Sequence, residues 1–317
     1  MAEIGLFLSS EEHGPRALLR FGQMGEAAGL RSVFVSDHYH PWLESQGESP
    51  FVWSVIAALG ATTGLRVTTG VTCPTVRIHP AIVAQAAATT SLLLEGRFAL
   101  GVGSGEALNE HILGHRWPPA PTRLEMLEEA IDVMRKLWTG EEVTHRGRYY
   151  TVENARIYSL PASPPKVLVS GFGPRAVELA ARVGDGFVTV QPDTSALERY
   201  RSHGGSGPTV AALKVCWNAD EQAARKLAHE IWRTTGVHGE LNQELPTPAH
   251  FEQASELVTE ALVAESIPCG PDPEVHLAAI RPYLEAGFDE IYISQVGDDQ
   301  EGFLRFYVDE LARRVDA

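Results

Sequence analysis

Strand-like and helix-like segments alternate along all 317 residues of the chain, and no linker interrupts them. Short apolar runs are centred on Ile4, Val33, Val67, Ala99, Leu168, Phe187, Leu213 and Ile291. Between them, helical spacing of apolar residues predicts helices over 14–29, 51–62, 80–94, 121–138, 174–183, 219–235 and 300–315. In 121–138, Leu124, Leu127, Ala130, Ile131, Met134, Leu137 and Trp138 share one face. Continuous β/α alternation implies a parallel sheet. Eight such units in a chain of this length imply a (β/α)8 barrel, expected as a single domain over residues 1–317. An open doubly wound sheet is the alternative. Two stretches break the rhythm and read as insertions. Residues 140–165 suggest a hairpin plus loop, and 238–266 is polar and poorly periodic. In a barrel, insertions at the C-terminal face shape the substrate pocket.

Composition narrows the function. Lys and Arg total 26 against 41 Asp and Glu, a formal charge of −15. A nucleic-acid partner needs a basic face and is not expected. Hydrophobic residues are 44% and charged residues 21%, ordinary for a globular chain. No apolar run approaches the roughly 18 residues of a membrane span, so none is expected. Cys73, Cys216 and Cys269 are widely separated and odd in number, which fits free thiols rather than a disulfide framework or a zinc site. The start, Met1-Ala2-Glu3-Ile4-Gly5, has neither a basic nor a long apolar leader, so a cytoplasmic location is expected. Only Lys136, Lys166, Lys214 and Lys226 are lysines.

Several strand ends carry groups capable of chemistry. Ser36-Asp37-His38-Tyr39-His40-Pro41-Trp42 follows the second strand, on the catalytic face of a barrel. His38 suits proton transfer near neutrality, and Asp37 is placed to orient it or to bind a ligand. An ordinary capped loop is the plainer reading. His38-Tyr39-His40 resembles a metal-binding pair, but the later strand ends, Ser170-Gly171, Gln191-Pro192 and Ser294-Gln295, offer no further ligands, so no metal is expected. After the fourth strand, the glycine-rich run 101–110 allows close backbone approach to a planar or phosphorylated ligand, with Ser104 and Gly105 as candidate contacts. It lacks the full dinucleotide fingerprint, because Glu106 stands where a third glycine belongs. Glu106 is a candidate acid, or simply an acidic residue favoured at a helix start. Ser170-Gly171-Phe172-Gly173-Pro174-Arg175 leads into a helix and is a plausible phosphate seat, or an ordinary tight loop. Arg77-Ile78-His79-Pro80 could add positive charge there.

These motifs, with Leu137-Trp138-Thr139-Gly140, Gly147-Arg148-Tyr149-Tyr150 and Gly184-Asp185-Gly186-Phe187 in the same order, carry a resemblance. From about Ile4 to Arg313 the chain resembles the luciferase-like flavin/deazaflavin superfamily, and within it the F420-dependent glucose-6-phosphate dehydrogenase family. The resemblance implies coenzyme F420 across the C-terminal face of the barrel, hydride exchange between its C5 and an alcohol or carbonyl carbon, and a homodimer. It implies that His38 is the base, that Trp42 lies beside the reacting centre, and that Glu106 protonates the reduced deazaflavin. Asp37 and Asn109 match cofactor or active-site contacts. Gly70-Val71 matches a non-proline cis peptide against the deazaflavin. Ser170, Gly171 and Gly173 match the loop holding the F420 phosphate, with Arg175 beside it.

The departures concern the substrate. Sugar-phosphate members of the family present two lysines and an arginine to the substrate phosphate. Here Val190-Gln191-Pro192 follows Phe187-Val188-Thr189 where a lysine is expected, and residues 236–280 contain neither lysine nor arginine. Cys73 stands where a cofactor-contacting threonine is usual. The expected substrate is therefore a non-phosphorylated secondary alcohol or ketone. The alternatives are a sugar-6-phosphate dehydrogenase, an FMN-dependent luciferase-like monooxygenase, and a non-catalytic cofactor-binding protein. Arg77, Arg116 and Arg175 are the candidates for a substitute phosphate-binding cation.

Overall fold

The computed structural model describes residues 2–315. Ten strands are present among them. β1 (Glu3–Leu8), β2 (Ser32–Val35), β3 (Arg66–Thr69) and β4 (Phe98–Val102) precede a hairpin of β5 (Val143–Arg146) and β6 (Thr151–Ala155). β7 (Lys166–Ser170), β8 (Gly186–Thr189), β9 (Thr209–Val215) and β10 (Glu290–Gln295) follow. Eight of these form a closed parallel barrel in the order β1-β10-β9-β8-β7-β4-β3-β2. β1 pairs with β2 on one side (Leu6 opposite Val33) and β10 on the other (Ile4 opposite Ile291), which excludes the open-sheet alternative. The eight strands expected from the sequence are the eight of the barrel.

Alternate residues of each strand face opposite ways, so the barrel has two cores. Leu6, Leu8, Val33, Val35, Val67 and Leu100 pack outward against the helix layer. Phe34, Leu168, Val188, Val210, Ala212 and Tyr292 fill the interior. There Phe34 stacks on Tyr292 with centroids 5.1 Å apart. At the N-terminal end Arg66 pairs with Glu3 at 2.7 Å, and the Tyr292 hydroxyl donates to Glu290 at 2.6 Å. That end is a self-satisfied polar plug.

The helix over Pro174–Val183 has the expected bounds, and Pro80–Leu93 differs by one residue. Helices at Thr194–Ser202 and Pro273–Ala286 are not legible from periodicity. The first buries only Ala196, Leu197 and Tyr200, too narrow a stripe to detect. The second carries Pro282 in its interior, which reads as a break. Both start at aspartate caps, Asp193 and Asp272, whose carboxylates accept first-turn amides.

The 140–165 insertion is the β5–β6 hairpin with its loop. The 238–266 insertion folds as three short helices, Leu241–Glu244, Pro248–Ala254 and Glu260–Ser266. Arg123, 1% exposed, ties the first of them to the barrel by donating to Glu244 at 2.9 Å and to Gln243 at 2.6 Å, over the Trp117 ring. No helix among the described residues is long and apolar enough to cross a membrane.

Gly101 shows how closely β3 and β4 approach. A Cβ there would meet the backbone oxygen of Thr69 and lie 3.2 Å from Val71 Cγ1. Backbone cannot yield as a side chain can. Gly101→Ala is expected to destabilise the fold by about 3 kcal/mol. Thermal unfolding checks this, with a midpoint lowered by about 5–10 °C expected.

Candidate active site

All parallel strands end at one mouth, so the loops after β1, β2, β3, β4 and β7 converge there. His38, from the loop after β2, stands at the centre. Its Nε2 lies 3.4 Å from Glu11 Oε1 and 3.7 Å from Glu106 Oε1. Its Nδ1 lies 3.2 Å from the His40 carbonyl and 3.0 Å from Asn109 Nδ2. Asn109 is oriented by its Oδ1, which accepts the Tyr39 and His40 amides at 2.7 and 3.0 Å. Its Nδ2 then donates to Glu106 at 2.5 Å. In the tautomer that donates Nδ1–H to the His40 carbonyl, Nε2 carries a lone pair able to take a proton beside Glu11 and Glu106; the Asn109 amide, a donor, bonds Nδ1 only in the other tautomer. The mouth therefore places Glu11 and Glu106 beside one imidazole nitrogen.

Glu11 was not legible as a site residue. It is 3% exposed, accepts from the Ser36 hydroxyl at 2.5 Å, and follows β1 directly. Burial alone would raise its pKa, but His38, the Ser36 hydroxyl, its own backbone amide and Lys214 hold it below the usual carboxylate value. The available signal was positional: Glu11 and Glu12 sit after a strand end, as His38 does. Glu12 accepts Trp232 Nε1 at 2.7 Å and the Gly297 amide at 2.8 Å. Burial nonetheless pushes its carboxyl up to about 7.

Asp37 does not orient His38. Its carboxylate accepts Thr72 Oγ1 at 2.7 Å and Arg77 Nη2 at 2.8 Å. Arg77 also faces Glu110 at 3.4 Å, and Glu110 accepts the Val76 and Arg77 amides. Desolvation pushes Glu110 up to about 7. This buried network joins the loops after β2, β3 and β4, so Arg77 is committed and does not substitute for a phosphate-binding cation. Cys73 is buried beside it; burial, Glu110 and Glu106 keep its thiol protonated.

Trp42 forms the next wall. Its ring lies 5.1 Å from His38 and meets Phe251 edge-on at 5.0 Å. Phe251 comes from the 238–266 insertion and is fully buried behind Trp42, so that segment backs the wall. His40 turns away and bonds the Leu108 carbonyl at 2.9 Å, which separates the two histidines of the His-x-His pair.

The opposite side of the mouth is backbone-rich. The Gly70–Val71 peptide is cis, as expected. A Cβ on Gly103 would lie 2.8 Å from Val71 Cγ2. Gly105 has φ +84° and packs against Glu110, Trp117 and Cys73. Ser104 lies between these glycines. Ser170 ends β7. A Cβ on Gly171 would come within 2.9 Å of the Ala176 backbone, whereas Gly173 borders open space. Gly173 starts the Pro174–Val183 helix without a side-chain cap; Pro174 has no N–H and the Ala176 and Val177 amides donate to the Gly173 carbonyl, which leaves the Arg175 amide as the first-turn donor open to an anion. Arg175 departs from this cluster. It lines an outer groove with Glu125, Glu128 and Glu178, between helices rather than at the mouth. Arg116 lies exposed in the loop after β4.

The family model of luciferase-like monooxygenases matches residues 1–290. An F420-dependent glucose-6-phosphate dehydrogenase from Microbacterium testaceum is 36% identical over 98% of this chain and 96% of its own length. Another from Kribbella flavida is also 36% identical, over 97% of this chain and 96% of its own length. Among solved structures, an F420-dependent secondary alcohol dehydrogenase in complex with an F420–acetone adduct superposes with a TM-score of 0.89. It is 30% identical and covers 98% of both chains. The F420-dependent tetrahydromethanopterin reductase from Methanopyrus kandleri superposes with a TM-score of 0.79 at 19% identity, covering 99% of both chains, and shares the fold.

Asp37→Ala would strand Arg77, whose side chain is 6% exposed, with Glu110 as its remaining partner. A loss of about 3–5 kcal/mol is expected. Denaturant titration checks it; an unchanged midpoint would contradict a scaffold role. A second prediction concerns pH. Glu12 takes up a proton on folding between pH 4.5 and about 7. It therefore favours the folded state below pH 4.5, and that advantage is lost as pH rises through about 7. Glu12→Gln is expected to flatten that part of the stability curve, measured by urea unfolding from pH 5 to pH 8.

Proposed function

The chain belongs to the luciferase-like monooxygenase family, and on that premise we propose that it is an F420-dependent oxidoreductase acting on a non-phosphorylated secondary alcohol or ketone. The observation that carries this reading is the charge at the mouth. Lys214 is the one lysine there among the described residues, and it faces Glu11 and Glu12. A phosphate dianion would meet the Glu11 carboxylate, find Arg77 already paired and have Lys214 as its one basic neighbour. Burying a dianion against a single cation beside a carboxylate is unfavourable. The sugar-phosphate reading is favoured by the names of the 36% identical relatives, and the assay below separates the two.

The residues fit the cofactor. The uncapped helix start after Gly173 and the tight Gly171 turn suit its phosphate, with Ser170 beside them. Val71, Gly103, Ser104, Gly105 and Cys73 would border its ring system. When bound, F420 exchanges a hydride with the carbinol or carbonyl carbon. His38 Nε2 takes the alcohol proton, and Glu11 stabilises the imidazolium. Glu106, oriented by Asn109, is the second acidic side chain beside His38. Trp42 and Phe251 exclude water from that side.

F420 absorbance is expected to fall with secondary alcohols and hardly at all with glucose 6-phosphate. His38→Ala is expected to lower kcat by about 10²–10⁴-fold with F420 affinity retained. Glu106→Gln is expected to lower turnover while the thermal midpoint stays within a few degrees. Efficient turnover of glucose 6-phosphate, with none of secondary alcohols or ketones, would overturn the substrate reading. FMN-supported oxygen consumption would overturn the cofactor reading.

A further inference from the structure

β9 places a lysine inside the barrel. Val210 and Ala212 face the interior, and Lys214, two residues on, faces the same way one layer nearer the mouth. Its register neighbour on β10 is Ser294. Ser294 is 2% exposed, and its Oγ has no hydrogen-bond partner among the described residues. The Lys214 ammonium lies 3.9 Å from the Trp232 ring centroid. Trp232 is itself fixed by donating to Glu12. It packs in the same apolar cluster as Trp42, the wall beside His38. Lys214 therefore stands on the substrate side of the mouth, away from the glycine-rich cradle.

The ammonium makes no hydrogen bond or ion pair within 4 Å among the described residues; its contacts are the Trp232 ring and the through-space charges of Glu11 and Glu12. Burial pulls its pKa below the usual lysine value, against the pull of those two carboxylates. A strongly polar donor of this kind, covered by a purely apolar substrate, would be left without an acceptor. A dianion there would be repelled by the Glu11 carboxylate. A neutral oxygen satisfies the donor without adding charge.

We propose that Lys214 and Ser294 form a recognition subsite for a second, uncharged oxygen of the substrate, distinct from the oxygen at the reacting carbon. This rests on the alcohol–carbonyl reading above and narrows it. The substrate class becomes a diol, hydroxyketone or similar polyoxygenated molecule rather than a simple secondary alcohol.

The test is a ratio of kcat/KM values with F420, diol over matching mono-alcohol: butane-2,3-diol against butan-2-ol, pentane-2,4-diol against pentan-2-ol, hexane-2,5-diol against hexan-2-ol. A ratio cancels any general effect of Lys214 on the Glu11–His38 pair, which acts on both substrates alike. The wild-type protein is expected to favour the diol of at least one pair by about 10–100-fold, the range of a hydrogen bond from a charged donor. Lys214→Met is expected to bring that ratio close to one. Ser294→Ala, which removes a single hydroxyl, is expected to lower it by a smaller factor and serves if Lys214→Met does not fold. A wild-type ratio near one for every pair, or a ratio unchanged in the variants, would overturn the subsite. If no alcohol changes F420 absorbance, the alcohol reading has failed instead. Tryptophan fluorescence titration with the same diols then decides the subsite: binding weakened by Lys214→Met supports it, and absence of diol binding overturns it.

Discussion

Closure of the parallel barrel is the constraint on which everything else depends. β1 bonds to β2 and to β10, so no edge strand remains in the ring and every strand runs the same way. Outward faces are covered by helices, and inward faces by Phe34, Tyr292 and their neighbours. Polar groups have room only at the two ends. At the N-terminal end they neutralise one another. At the C-terminal end His38 and Glu106 keep partial exposure, where chemistry is possible.

Buried charge then sets the shape of that end. Arg77 draws Asp37 and Glu110 together and so fixes three loops at once. Arg123 clamps the first helix of the 238–266 insertion, and the second packs Phe251 behind Trp42. A cation in such a setting is held by carboxylates and hydrogen bonds, and removing one partner leaves the rest uncompensated. The same arginines are thereby withdrawn from ligand binding. Lys214, without such a clamp, remains the mouth's free donor among the described residues.

The two sides of the mouth differ in how they recognise. The glycine-rich side, Gly70-Val71, Gly103–Gly105 and Ser170–Gly173, presents backbone and small side chains. The other side gathers His38, Glu11, Trp42 and Lys214, with Phe251 and Trp232 packed behind them.

Strand positions, most helices and both insertions were legible in the sequence, because hydrophobic periodicity reports local burial directly. His38, Glu106 and the glycine loops were legible for a related reason: in a barrel, residues that follow strands must lie at one end. The helices at Thr194–Ser202 and Pro273–Ala286 were not, since their burial is narrow or interrupted by Pro282. The partners were not legible either. Asp37 adjoins His38 in sequence yet pairs with Arg77, while Glu11, 27 residues away, faces His38 at 3.4 Å. Arg175 follows the phosphate-loop motif yet points to an outer groove, and Lys214 reads as an ordinary strand lysine until register places it beside Ser294. Sequence determined which residues could carry charge and where strands end. Only the tertiary structure decided which charges meet, because pairing depends on distances across the barrel that adjacency in the chain does not encode.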